Sequence, residues 1–470
     1  MAAARQGGSE LDTTEWHPAR LIPTVGIRGQ EEQERRATSS LLAVMRAVPE
    51  FGHALLKELG APKSTVIETF AEVRFKDTTG KTVIPDGAIV CRRGKKQWTC
   101  LVEVKTAGAG LGSDQISTYL DVARENGFDG VLTISNQITA RPEESPVAVD
   151  KRKLRRASLW HFSWWRVLTE AIVQHRFRGI SDPDQAWILG ELIAYLDSEA
   201  SGAGGFDDMG DKWVHVRKAA HDGTLRANDA VTAAVAHRWE EFTQYLCLGL
   251  SQDLGTPVSA QRPRKQTTAA RLDELVNELA GSGTLTASLR VPDAVGAIEI
   301  RADLRARRTL SSVTLDAPRE GRAKARINWL LRQLNDAPGD LRIEVAFPSA
   351  RQTTSELLQD AREIPEKLLY PADPKREPKA FIVTLGRAMG QKRGKAEGSF
   401  VRETRSQTFD FYRDIVQALK PWQARAPRLR PHGSEPSEGP TPTPPVFGQA
   451  DGRDPGEAAD EMTSPKVAEA

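Results

Sequence analysis

The sequence predicts an α/β protein, and three observations predict it. Between Ser64 and Thr106, runs of alternating apolar and polar residues are bounded by turn residues, the pattern of strands with one buried face. Ahead of them, Leu41, Leu42, Met45 and Val48 recur at helical spacing, which makes one apolar stripe on a helix. The pieces follow one another as αβββαβ with a further strand and helix, an order that layers helices on a sheet.

Residues 1–25 mix Ala, Gly and Pro with a lone Trp16 and read as a flexible arm. A helix begins at Gln30. At about 100° per residue Glu34 falls in the middle of its apolar stripe and Glu32 well off it. Glu34 is then an acid aimed at the core; alternatively the stripe ends before it and the first-turn acids favour the helix N-terminus. Ser64–Phe75, Thr82–Arg92 and Trp98–Thr106 read as three strands. GKKQ at Gly94 to Gln97 turns the second into the third as an antiparallel hairpin. In the third, Leu101, Glu103 and Lys105 alternate with Val102 and Val104, so the carboxylate and the ammonium share a face. Burying both is costly unless each has a partner, which a bound cation and a phosphate would supply. Asp86, in Pro85-Asp86-Gly87 and seventeen positions before Glu103, comes beside it across the hairpin. Gly108–Gly112 is a loop, Asp114–Asn126 a helix, Gly130–Ser135 a short apolar strand, and Ser158–Phe162 a strand leading into a helix at Trp164-Trp165.

Pro85-Asp86, then Glu103-Val104-Lys105, then Gln115 and Tyr119 on the following helix together resemble the PD-(D/E)XK nuclease superfamily. The Gln-xxx-Tyr pair resembles its RecB-type branch, and the likeness spans residues 30–170. The αβββαβ order is the core order of that superfamily's restriction-endonuclease-like fold. The resemblance implies a metal-dependent nuclease that hydrolyses phosphodiester bonds, of DNA more than RNA, in defence against foreign DNA or in repair. By that implication Asp86, Glu103 and the Val104 carbonyl hold Mg²⁺, with Mn²⁺ as a substitute. Glu34 joins them from the first helix, with Glu31 behind it. Lys105 orients the attacking water or offsets charge, Gln115 holds Lys105 or the substrate, and Tyr119 supports it or touches the backbone. Two other readings stand beside this: Lys105 paired with Glu103 or Asp86 as inert core polarity, and a catalytically silent nuclease-like module that binds nucleic acid or protein. The chain has no GxxxxGK[ST], so an ATPase or helicase would be a partner chain.

Residues 26–170 thus form the expected nuclease-like domain and 171–256 its helical extension, with AWILGELIAYLDS and Ala230–Leu250 as helices. Trp187, Trp213 and Trp239 read as core packing within these helical patterns. SGAGGFDDMGD at 201–211 lacks the ligand spacing of an EF-hand and reads as a solvated loop. Residues 257–268 are a linker rich in Pro, Gln, Thr and Arg. A separate α+β domain is expected over 269–425. Its helices are Leu272–Leu279, Gly321–Asn335, Thr354–Leu369 and Phe400–Leu419; its strands are Thr284–Val291, Ala297–Leu304, Thr309–Leu315, Leu341–Phe347 and Ala380–Leu385. Residues 426–470, rich in Pro, Gly and Glu, are an expected disordered acidic tail.

Charge adds a partner expectation. The whole chain is nearly neutral, with 65 Lys+Arg against 63 Asp+Glu, but Lys375 to Arg430 carries fourteen basic residues against five acids, a net of +9. Arg319, Arg322, Lys324 and Arg326 open a helix whose N–H groups add to phosphate attraction. Nucleic acid bound through phosphates is one reading; a basic face that confers solubility is the other. Cys91, Cys100 and Cys247 fit no disulfide framework or metal-ligand spacing. No window approaches eighteen apolar residues and no secretory signal pattern opens the chain, so a cytoplasmic protein without a membrane partner is expected.

Overall fold

The computed structural model describes residues 21–23, 29–63, 66–77, 79–394 and 396–424. Most of the expected arm and the expected tail lie outside the described residues.

The chain starts with α1 (Gln30–Ala47) and α2 (Pro49–Lys57). Pro49 separates them: it cannot donate to α1, but it suits the first turn of α2. Strands β1 (Val66–Ala71), β2 (Phe75–Lys76), β3 (Thr82–Val83), β4 (Gly87–Arg93) and β5 (Lys96–Val104) follow. The first two expected strands are therefore each broken. Glu72 adopts φ 51°, which ends β1, and Pro85 interrupts the second run because it lacks a ladder donor. The β4–β5 hairpin closes through Gly94-Lys95, with Arg93 opposite Lys96 and Gly94 at the positive φ that a two-residue turn needs.

Next come α3 (Ser113–Glu125), β6 (Gly130–Ser135), β7 (Ser158–Ser163), α4 (Trp164–Val173), α5 (Pro183–Asp197), α6 (Trp213–His221) and α7 (Ala230–Leu254). The first sheet has the order β1-β4-β5-β6-β7, antiparallel from β1 to β5 and parallel from β5 to β7. The period of two divides its faces. Val102, Val104, Leu132, Ile134 and Phe162 pack with residues of α1, α2, α4 and α5, while Leu101, Val131 and Leu159 pack under Ile116, Tyr119 and Leu120 of α3. Ile22, placed in the expected arm, is buried in the first of these cores.

The remaining elements are β8 (Ser259–Ala260), α8 (Thr268–Ser282), β9 (Thr284–Arg290), β10 (Ile298–Asp303), β11 (Arg308–Asp316), α9 (Ala323–Gln333), β12 (Arg342–Ala346), β13 (Thr354–Leu357), α10 (Leu358–Glu363), β14 (Ala380–Ala388) and α11 (Phe400–Asp414). A second, antiparallel sheet has the order β13-β12-β14-β11-β10-β9-β8. The expected linker thus contributes β8 to this sheet. The helix expected over Thr354–Leu369 begins instead as β13, because Thr354–Leu357 pairs along β12 at the sheet edge and tertiary pairing outweighs local propensity.

The protein is a mixed α/β chain, and its described residues through Gln423 fall in one compact unit. The helices of 171–256 divide between the two cores. Leu189, Leu192 and Tyr195 of α5 join the first, whereas Trp213 of α6 and Trp239, Phe242 and Leu246 of α7 join the core under the second sheet. Trp187, expected in the core, is 56% exposed. Among the described residues no helix is long and apolar enough to cross a membrane.

Candidate functional site

Three segments fix the site at the C-terminal end of β5. In the hairpin register Gly87 lies opposite Val102, so Asp86 comes level with Glu103. Gly87 is needed there: a Cβ would lie 2.7 Å from the Phe70 carbonyl oxygen and 2.5 Å from Leu42 Cδ1. The Asp86 carboxylate accepts a hydrogen bond from the Val104 N–H at 2.7 Å, and its carbonyl accepts one from Glu72 at 2.9 Å. Just past β5, the Lys105 N–H donates to Ile134 (2.8 Å) and its carbonyl accepts from Trp164 Nε1 (2.9 Å), which fixes where the side chain starts. Its Nζ stands 2.8 Å from Glu103 Oε1 and 3.3 Å from Glu34 Oε2, and it donates to the Val104 carbonyl at 3.1 Å.

Glu34 reaches the site from α1. The helix has Gly29 as its N-cap and no side-chain cap, so Glu34 is turned inward as the stripe geometry predicts, and Gln30 Nε2 donates to it at 3.2 Å. Glu32 instead pairs with Arg36. Glu31 pairs with Arg35 on the surface, yet it shares with Glu34, Asp86, Arg35 and Arg74 a groove of about 520 Å³ outside the site. On α3, Tyr119 donates to the Ile84 carbonyl at 3.2 Å and accepts from Gln115 Nε2 at 3.0 Å. The hydrogen bond of Gln115 therefore goes to Tyr119, not to Lys105.

Burial makes these charges interact strongly. Glu103 is 1% exposed, and neither of its oxygens accepts a hydrogen bond of good geometry; Lys105 meets it as an ion pair. Burial and then the Asp86 charge push the Glu103 carboxyl up to about 7, against the pull of Lys105. Asp86 is raised by burial, with the Val104 N–H and Lys105 opposing. Burial alone would lower Lys105, but Glu103, Glu34 and Asp86 outweigh it and raise its pKa. Burial followed by the Glu103 charge raises Tyr119. Three carboxylates thus face one ammonium, and a cluster of perturbed groups of this kind marks a candidate functional site.

Among the described residues, no three His, Cys, Asp or Glu side chains form a group that could hold a metal ion, and the Lys105 ammonium supplies the positive charge between Glu34 and Glu103. Even so, the donors fit a hard cation. Asp86, Glu103 and the Val104 carbonyl offer oxygen alone, and the Glu103 oxygens are buried acceptors lacking a well-aligned donor.

Two buried residues beside the site escape sequence reasoning. Cross-strand register aligns Glu103 with Thr133, and Thr133 with His161. His161 is fully buried, with Nδ1 2.9 Å from the Thr133 hydroxyl and Nε2 2.9 Å from the Gln137 carbonyl. Burial lowers its pKa to about 4, which favours the neutral ring, and the Gln137 carbonyl, which can only accept, places the proton on Nε2. The alternation in Leu159–Ser163 marks the face of His161, but only the parallel register reveals the row.

The basic stretch of the second half is less free than its composition suggests. Arg326 is 7% exposed and is spent on the carbonyls of Gly321 and Arg319 and on Glu377. Lys324 pairs with Glu366, Arg387 with Asp340, Arg393 with Asp208 and Asp211, and Arg413 with Asp410 and Asp414. Lys395 and Arg425 to Arg430 lie outside the described residues.

No family model, no curated protein and no solved structure matches this chain.

Proposed function

We propose that the chain is a metal-dependent nuclease hydrolysing phosphodiester bonds, with DNA the favoured substrate, built on a restriction-endonuclease-like core. One observation carries the reading: Glu34, Asp86, Glu103 and Lys105, drawn from α1, the start of β4 and the end of β5, converge on one point where Glu103 is sealed from solvent beside Asp86. The mixed first sheet supports the assigned core. Asp86, Glu103 and the Val104 carbonyl are the groups that would hold Mg²⁺ or Mn²⁺, with Glu34 adjoining, and the ion would polarise the scissile phosphate and lower the pKa of a bound water. The chain's own residues do the rest. Lys105, anchored through its backbone, places an ammonium against the negative charge that develops on the phosphoryl oxygens. Tyr119, tied to Ile84 and Gln115, holds the loop ahead of Asp86 and so keeps the two carboxylates side by side.

A catalytically silent binding module is the second reading, and the Lys105 contacts with Glu103 and Glu34 favour it over catalysis, since the ammonium already neutralises carboxylates that an ion would need. Incubating the purified full chain with single- and double-stranded DNA and RNA, in Mg²⁺, Mn²⁺ or EDTA, beside an Asp86→Ala control, separates the two. Cleavage that requires the divalent ion and Asp86 is expected. Binding without cleavage under every condition selects the silent module.

A further inference from the structure

A second cleft begins one residue from the proposed site. Gln33 precedes Glu34 and Ala107 follows Lys105 by two residues, and both line a cavity of about 780 Å³, a size suited to a small organic ligand. It lies past the C-terminal ends of β5 and β6, where Asn136 donates to the carbonyls of Gly202 and Gly204 at 2.9 and 3.1 Å and so fixes a glycine-rich wall. Ligands of sheets with parallel strands bind at such strand ends.

Its chemistry is unlike that of a phosphate site. Trp165 of α4 and Tyr245 of α7 form an aromatic wall, with ring centroids 4.9 Å apart, and Phe206 lies 6.0 Å from Tyr245. Asp197, Glu199 and Asp207 also line the cavity, as does Asp208, whose carboxylate is held by Arg393. Arg238 is the one cation among its described lining residues, and it is engaged by Glu241, the Asp208 carbonyl and the face of Phe206. Carboxylates repel a phosphate but accept N–H groups, and aromatic rings stack on any planar ring. We infer that this cleft takes one nucleobase bearing an exocyclic amino group, turned out from a strand whose phosphate lies at Lys105. The inference rests on the hydrolytic reading for the strand's placement, while the cleft's preference for an amino-bearing base rests on its own lining.

The test is binding of free nucleosides to the full chain in EDTA, read by calorimetry, so that no cleavage enters. Cytidine and adenosine are expected to bind and thymidine, which lacks the amino group, to bind more weakly. Gly204 and Gly110 both line the cleft; a Cβ at Gly204 would meet only Asp207 Oδ2 at 3.9 Å, and one at Gly110 nothing within 4 Å. Gly204→Phe adds a ring to the lining at a position where a Cβ meets no backbone atom, and Gly110→Phe adds one from the loop after β5 should the first fail to fold. Each is expected to weaken cytidine by roughly five- to a hundredfold, the loss of one stacked base. No heat at millimolar cytidine, equal affinity for thymidine, or binding unchanged in the folded variants overturns the inference. Cleavage of DNA by a protein that binds no nucleoside removes only the cleft; nucleoside binding without any cleavage removes only the hydrolytic reading.

Discussion

Two charge-rich regions, the hairpin site around Glu103 and the basic stretch from Arg319 onward, look comparable in composition and differ in structure. At the hairpin, charges from distant segments meet in a buried place and perturb one another. In the basic stretch, several charges are met one by one by acids or carbonyls, some of them nearby in sequence and some, like Asp208, far away. A net charge counted along the sequence therefore overstates what a ligand can use, because some neutralising partners, Asp340 for Arg387 and Asp208 and Asp211 for Arg393, lie outside the counted segment. A pattern of alternating charge in an apolar strand loses less, since burial forces its partners to be specific.

The sharpest way to break this contrast is at the hairpin. Asp86→Ala, Glu103→Ala and Lys105→Ala are each expected to lower cleavage by more than roughly a hundredfold with the fold retained, because each removes a proposed ion ligand or a transition-state charge. Wild-type turnover in Glu103→Ala would reduce the site to core polarity.

His161 tests whether the row beside the site is held by burial. Its pKa is about 4 in the fold against about 6.5 unfolded, so the fold favours the neutral ring. That contribution is fully present above about pH 6.5 and is lost as the pH falls towards 4, a change of about 3 kcal/mol. Urea denaturation at pH 7 and pH 4.5 should show His161→Asn, already less stable, losing less than the wild type between the two. Equal losses would mean that the fold leaves the His161 pKa unshifted.

In the basic stretch, Arg326→Ala is expected to cost about 1 kcal/mol of stability by removing its hydrogen bonds to the carbonyls of Gly321, Arg319 and Pro378. A variant with unchanged stability that loses affinity for DNA would return Arg326 to a binding role.

The smallest effect sought is at Glu34. Glu34→Gln should raise the Mg²⁺ needed for half-maximal cleavage about tenfold, whereas Glu32→Gln, on the outer face with Arg36, should leave it unchanged. Matching shifts in the two variants would remove Glu34 from the site.

What the sequence alone determined follows from local rules. The period of two put Glu103 and Lys105 on one face, Gly94 marked the turn, and Gly130–Ser135 was legible to the residue. These depend on backbone geometry within a few positions, which neighbouring residues set. Tertiary structure decided which of two orientations Glu34 takes, that Gln115 bonds Tyr119 instead of Lys105, that α6 and α7 pack under the second sheet, that Thr354–Leu357 becomes a strand, and that Arg326 is buried. An apolar helix face can pack against any complementary surface, and an edge strand can add to any open edge. The partner is fixed only when the elements compete for the same cores, so no short stretch of chain contains that information.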